Sequence, residues 1–168
     1  MTSPASSPDP TAADDTAALL RDLVELGQSL PFNQHLGVRV RRLEVGRAET
    51  ELPVDDRLVN HLGGVHAIAE LAPVELAGAL AASSRLHSLV AAGHVPVVAG
   101  LSVRYRAPAA GPLVAVAEVG EEAVAEAWEA VHAGRRPRLE VDVEVRDEED
   151  VVVLRATCEF VYLGADGS

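Results

Sequence analysis

The sequence has no lysine, one cysteine and very few aromatic side chains, and each shortage removes a class of explanation. All fourteen basic residues are arginine, set against 26 acidic ones, and the formal net charge is −12. That balance excludes nucleic acid as an expected partner, because its phosphates need a basic face. A few clustered arginines could still hold a small anion. Cys158 is the only cysteine, so no intrachain disulfide can form; a reducing compartment fits, and a cytoplasmic location is the expectation. Aromatics make up 3% of the chain, which leaves Val, Leu and Ala to build the core. No apolar run reaches the roughly 18–20 residues needed to span a bilayer, because Glu70 and Glu75 interrupt the longest one. The opening "MTSPASSPDPTAADD" has no basic region and no hydrophobic segment, so it does not read as a signal peptide and no membrane association is expected.

What is present is ordinary in bulk. With 48% hydrophobic and 24% charged residues in 168, one domain with a sizeable core is expected. Residues 1–13 are Ser, Pro, Ala and Asp and read as a disordered tail. The domain is expected over 14–163, with a short tail at 164–168. Asp14 or Asp15 would cap a first helix through Leu19, Leu20, Leu23, Val24 and Leu26, with Pro31 past its end. Two strands follow between 35 and 53, with a turn at Gly46. A long small-residue helix is expected over 64–84, and Gly93 and Pro96 mark the break after it. Leu101, Val103 and Tyr105 alternate with Ser102, Arg104 and Arg106 in the next strand. The turn "APAAGP" leads to another, and residues 121–133 return to helical spacing through Val124, Trp128 and Val131. The last hairpin is the clearest: Leu139, Val141, Val143 and Val145 alternate with Glu140, Asp142, Glu144 and Arg146. In the returning strand Cys158 points inward with Leu154, Ala156 and Phe160. Six strands with one apolar face must cover something, and the only long apolar element is the 64–84 helix. The fold expected is therefore α+β, an antiparallel sheet of about six strands wrapped around a central helix.

The stretch "NHLGGVHAIAELAPVELAGALAASS", residues 60–84, places two carboxylates inside that apolar helix. Read as Asn60-x-x-Gly63-x-x-His66, with Glu75 nine residues further on, it resembles the signature of hotdog-fold thioesterases. The nearest branch is the PaaI-like acyl-CoA thioesterases and their unassigned relatives. The resemblance runs from about residue 33 to 163 and includes "VRYRAPAAG" at 103–111. It implies hydrolysis of an acyl-CoA or acyl-carrier thioester, without a cofactor or metal. Glu75 would be the general base or nucleophile, with His66 and Asn60 as further catalytic residues. Gly63, Gly64, Ala67 and Ile68 would line the substrate. Backbone amides at a helix start suit a developing oxyanion.

If His66 and Glu75 are both helical, nine residues put them on opposite faces, roughly 13 Å apart along the axis. One chain then cannot bring them to one thioester, and a homodimer with two shared sites is expected, a dimer of dimers being left open. The sequence departs from the family pattern at Ala67-Ile68, where two glycines are typical, and at Pro73, which is expected to kink the helix. Glu70, four residues after His66, reads as its ion-pair partner. Arg104 and Arg106 would grip the phosphates of CoA, or form a solvated strand face; "GRRPR" at 134–138 is open to the same two readings. Two other functions stand beside the hydrolase: a non-catalytic acyl-binding domain, and a hotdog dehydratase using His61 and Glu75.

Overall fold

The computed structural model of the chain describes residues 10–164. Helix α1 (Pro10–Ser29) and the short α2 (Pro31–Leu36) precede a hairpin of β1 (Arg39–Glu44) and β2 (Arg47–Leu52). Helix α3 (Leu71–Arg85) and a five-residue α4 (His87–Ala91) lead to β3 (Val95–Tyr105) and β4 (Leu113–Glu118). Helix α5 (Glu121–His132) is inserted before the final hairpin of β5 (Arg138–Arg146) and β6 (Val152–Leu163). The six strands form one antiparallel sheet in the order β1-β2-β4-β5-β6-β3. The α+β architecture is the one expected, with the sheet curved around a central helix. Residues 10–13, expected in the tail, are already helical, because α1 begins at Pro10. Residues 1–9 and 165–168, the rest of both expected tails, lie outside the described residues.

Alternation decides which face of the sheet meets α3. Leu139, Val141, Val143 and Val145 of β5 are buried, as are Leu154, Ala156, Cys158 and Phe160 of β6. With few aromatics, the core closes by bringing helix and sheet together over small side chains. Ala72, Ala77, Gly78 and Ala81 on α3 are buried, with Ala48, Ala115 and Ala117 on the strands. A Cβ at Gly78 would lie 3.0 Å from the Phe160 ring and 3.5 Å from the Cys158 Cβ, so the helix is seated on β6 through that glycine. On the other side α1 covers α3: a Cβ at Gly27 would lie 2.9 Å from Leu76.

Two local expectations are corrected here. The central helix begins at Leu71 rather than at 64, and residues 67–70 form a turn before it. Pro73 therefore falls in the first turn, where its missing N–H removes no hydrogen bond within the helix, and the expected kink has no cause. Its carbonyl accepts from the Thr50 hydroxyl at 2.7 Å, tying this end of α3 to β2. Ser84, at the other end, receives the Gly46 N–H at 2.9 Å and so holds the β1–β2 turn. Trp128 is half-buried, tilted against His132 with ring centroids 6.3 Å apart, and packs α5 onto the core.

Candidate active site

The loop before α3 is built by its asparagine and glycines. The Asn60 Oδ1 accepts the Leu62 N–H at 2.8 Å, and its Nδ2 donates to the Val65 carbonyl at 3.0 Å. Its backbone receives the Gly63 N–H and donates to the Gly64 carbonyl. The side-chain amide thus has a donor and an acceptor inside the loop, the local geometry that favours Asn in turns. Gly63 has φ +83°, a conformation costly for any residue with a Cβ. At Gly64 a Cβ would stand 3.1 Å from the Ala109 carbonyl, where the loop meets the segment after β3; the Val65 N–H donates to that same carbonyl at 2.9 Å. His61 is exposed on the turn.

Beyond this loop the chain passes His66, which is not helical. The opposite-faces argument for His66 and Glu75 therefore loses its premise. The His66 Nδ1 accepts the Ile68 N–H at 3.1 Å, so in the neutral ring the proton sits on the outward Nε2. The expected ion pair with Glu70 is absent among the described residues: His66 is exposed, whereas Glu70 is 4% exposed and its Oε2 has no partner. The N–H groups of Ala69 and Glu70 go to the His66 carbonyl, and those of Leu71 and Ala72 close on Ile68 and Ala69. The amides expected to polarise a carbonyl at the helix start are thus already bonded. Among residues 65–72 the N–H of Ala67 is the one without an acceptor among the described residues. It lies on the exposed rim of the turn.

Glu75 lies one turn into α3 and is only partly exposed. Burial pushes its carboxyl above the ordinary range, and its charge in turn raises the Cys158 thiol, so it faces the β6 side of the helix. Glu70 is pushed up to about 7 by burial alone. A residue that the sequence reading left as part of a strand pattern joins them: the Tyr105 hydroxyl donates to the Ala67 carbonyl at 2.8 Å. The signal was its alternation with Arg104 and Arg106, in step with Leu101 and Val103, at the end of β3.

Gly63, Gly64, His66, Ala67 and Ile68 thus share the one loop that leads into α3. Arg106 starts the segment that packs on this loop and is exposed. Arg104 is not brought to them. It lies on the opposite face of the sheet with Arg47, Arg146 and Arg155, lining a hollow of about 710 Å³. That hollow also carries Glu118, Asp142 and Glu144, and three of its four arginines are held in ion pairs. No group of three or more His, Cys, Asp or Glu among the described residues is arranged to hold a metal ion. No helix among them is long and apolar enough to cross a membrane.

Comparison with known proteins places this geometry in a family. A probable thioesterase from Pseudomonas aeruginosa superposes with a TM-score of 0.71 at 22% identity, covering 92% of this chain and 96% of that one. A thioesterase of Haemophilus influenzae gives 0.67 at 22% identity, over 87% and 91%. The PaaI protein from the phenylacetic acid degradation operon of Escherichia coli gives 0.69 at 15% identity, over 89% and 96%. These likenesses establish the hotdog fold. A search of curated protein sequences finds no match. Residues 23–161 match the family DUF4442, a domain of unknown function, and the chain belongs to that family.

Proposed function

We propose that this chain hydrolyses acyl thioesters of CoA or of an acyl carrier, with Glu75 as the base. The observation that carries the reading is a half-buried helix carboxylate, Glu75, on the helix whose lead-in loop also holds a backbone amide without an acceptor, Ala67. Several proteins of similar fold are named as thioesterases, which supports the same class of reaction. Glu75 takes a proton from water as the water oxygen adds to the thioester carbon. The developing oxyanion is held by the Ala67 N–H. The tetrahedral intermediate then expels the thiolate, which recovers the proton from Glu75. Asn60 and Gly63 shape the loop, His66 fixes the Ile68 amide and turns its Nε2–H outward, and Ile68, 66% exposed, offers an apolar wall for the acyl chain. Arg106 stands where a phosphate of the carrier could reach it. Arg104 serves that purpose only for a carrier that wraps the edge of β3.

A homodimer completes the site in this reading. β3 is an edge strand whose Val95, Val97, Val98 and Leu101 remain 38–58% exposed, an apolar edge that soluble chains cover. Pairing two such edges brings the loop of one protomer towards α3 of the other.

The test is thiol release from a panel of short, long, branched and aryl acyl-CoAs by wild type and Glu75→Gln. Cys158 is fully buried and its thiol is pushed up to about 12, so the native protein adds little background to a thiol reagent. Turnover should fall about 10³-fold in the variant. Unchanged turnover removes Glu75 from the chemistry, and saturable binding without release makes the chain an acyl-binding domain.

A further inference from the structure

Glu70 occupies the N-cap position of α3, yet its side chain makes no capping hydrogen bond. It is 4% exposed, its Oε2 has no partner, and burial alone moves its carboxyl upward. A carboxylate so placed is expensive without a cation or donor. On β3, the Tyr105 phenol is raised by burial and, less, by the charge on Glu70, and its hydroxyl holds the Ala67 carbonyl. On Glu70's own turn stands His66, whose carbonyl takes the Glu70 N–H and whose ring is engaged with Ile68. Further along α3 stands Glu75. Arg106, beside Tyr105, forms no ion pair with Glu70 among the described residues.

We propose that Glu70 is a positioning residue of this site: with Tyr105 it fixes the turn at 67–70 that presents the Ala67 amide, and the turn gives way when Glu70 takes up a negative charge. The inference rests on the thioesterase reading for its effect on turnover, but not for its effect on the turn. As a neutral acid Glu70 can stay under the turn. As a carboxylate with no cation beside it, it must reach water, and because it is the last residue of that turn its movement displaces Ala67. Glu75 then sets the acid side of the rate profile and Glu70 the alkaline side.

Two measurements decide it. The first is kcat and KM against pH for wild type, Glu70→Gln and Tyr105→Phe. In the wild type kcat should be about ten-fold lower at pH 8.5 than at pH 6.0, with KM little changed. In Glu70→Gln that ratio should stay within about two-fold, whatever the absolute rate; Tyr105→Phe should lower kcat at both pH values. An alkaline limb that survives in Glu70→Gln overturns the proposal. The second measurement needs no turnover: the Glu70 carboxyl carbon and the Ala67 amide are followed by NMR against pH. A shared midpoint near neutrality, with the Ala67 change lost in Glu70→Gln, supports the inference. An Ala67 amide that ignores the Glu70 midpoint in the wild type overturns it, even if the variant does not fold. Absence of thiol release from every acyl thioester would count against the hydrolase reading alone, leaving the NMR result to judge Glu70.

Discussion

Glu70 and Glu75 are five residues apart and both raised by burial, but they answer to different demands. Glu75 is partly exposed, whereas Glu70 is 4% exposed and its Oε2 has no partner among the described residues. The consequence for stability has a definite sign. A carboxyl whose folded value is raised binds more protons in the folded state, so folding is favoured below the unfolded value and that advantage is lost as pH rises through the interval. For Glu70, moved from 4.5 to about 7, the interval is 4.5 to 7. Wild type should lose on the order of 3 kcal/mol relative to Glu70→Gln across it, read from denaturant titrations at both ends, and a constant difference would contradict it. Gly63 acts by shape instead. Gly63→Ala places a Cβ at φ +83° and should cost about 1 kcal/mol, with a larger loss of turnover because the Ala67 loop hangs from that turn.

The strands were the most legible elements, because a two-residue period in "LEVDVEV" leaves one choice of inner face. The central helix was less so. Residues 64–70 are mostly small or apolar and pass for the start of a helix, and the opposing signal, Pro73, reads as a kink when the start is set too early and as a first-turn residue when it is set at Leu71. Glu75's place inside the apolar helix was legible, since it interrupts the longest apolar run. Glu70's isolation was not, since only tertiary packing tells a surface partner of His66 from a buried acid, and Tyr105 was hidden for the same reason. Packing also sets what α3 tolerates. Gly78→Val would drive a side chain into Phe160 and Cys158, costing about 1–3 kcal/mol. The same shift lifts Glu75 off β6, so turnover should fall more than the loss of folded protein explains, as measured by rate per folded molecule.

At the scale of the whole molecule the two sheet edges differ. β1 carries Arg39, Arg41, Arg42 and Glu44, charges that discourage pairing with another chain. β3 carries Val95, Val97, Val98 and Leu101 in exposed positions, and Tyr105 at its end reaches back to the site loop. In the dimer proposed above, an apolar edge that ends at the candidate site would tie assembly to chemistry. Charge on that edge should therefore break both together. Val95→Glu with Val97→Glu would set like charges against one another across a two-fold axis, while the core, built on the inner face, stays intact. Light scattering should give twice 17.6 kDa for the wild type and 17.6 kDa for the double variant. The circular dichroism spectrum should be unchanged, and thiol release should disappear with the dimer. A monomeric variant that kept its turnover would place the whole site within one chain, and a wild type already at 17.6 kDa would remove the shared site altogether.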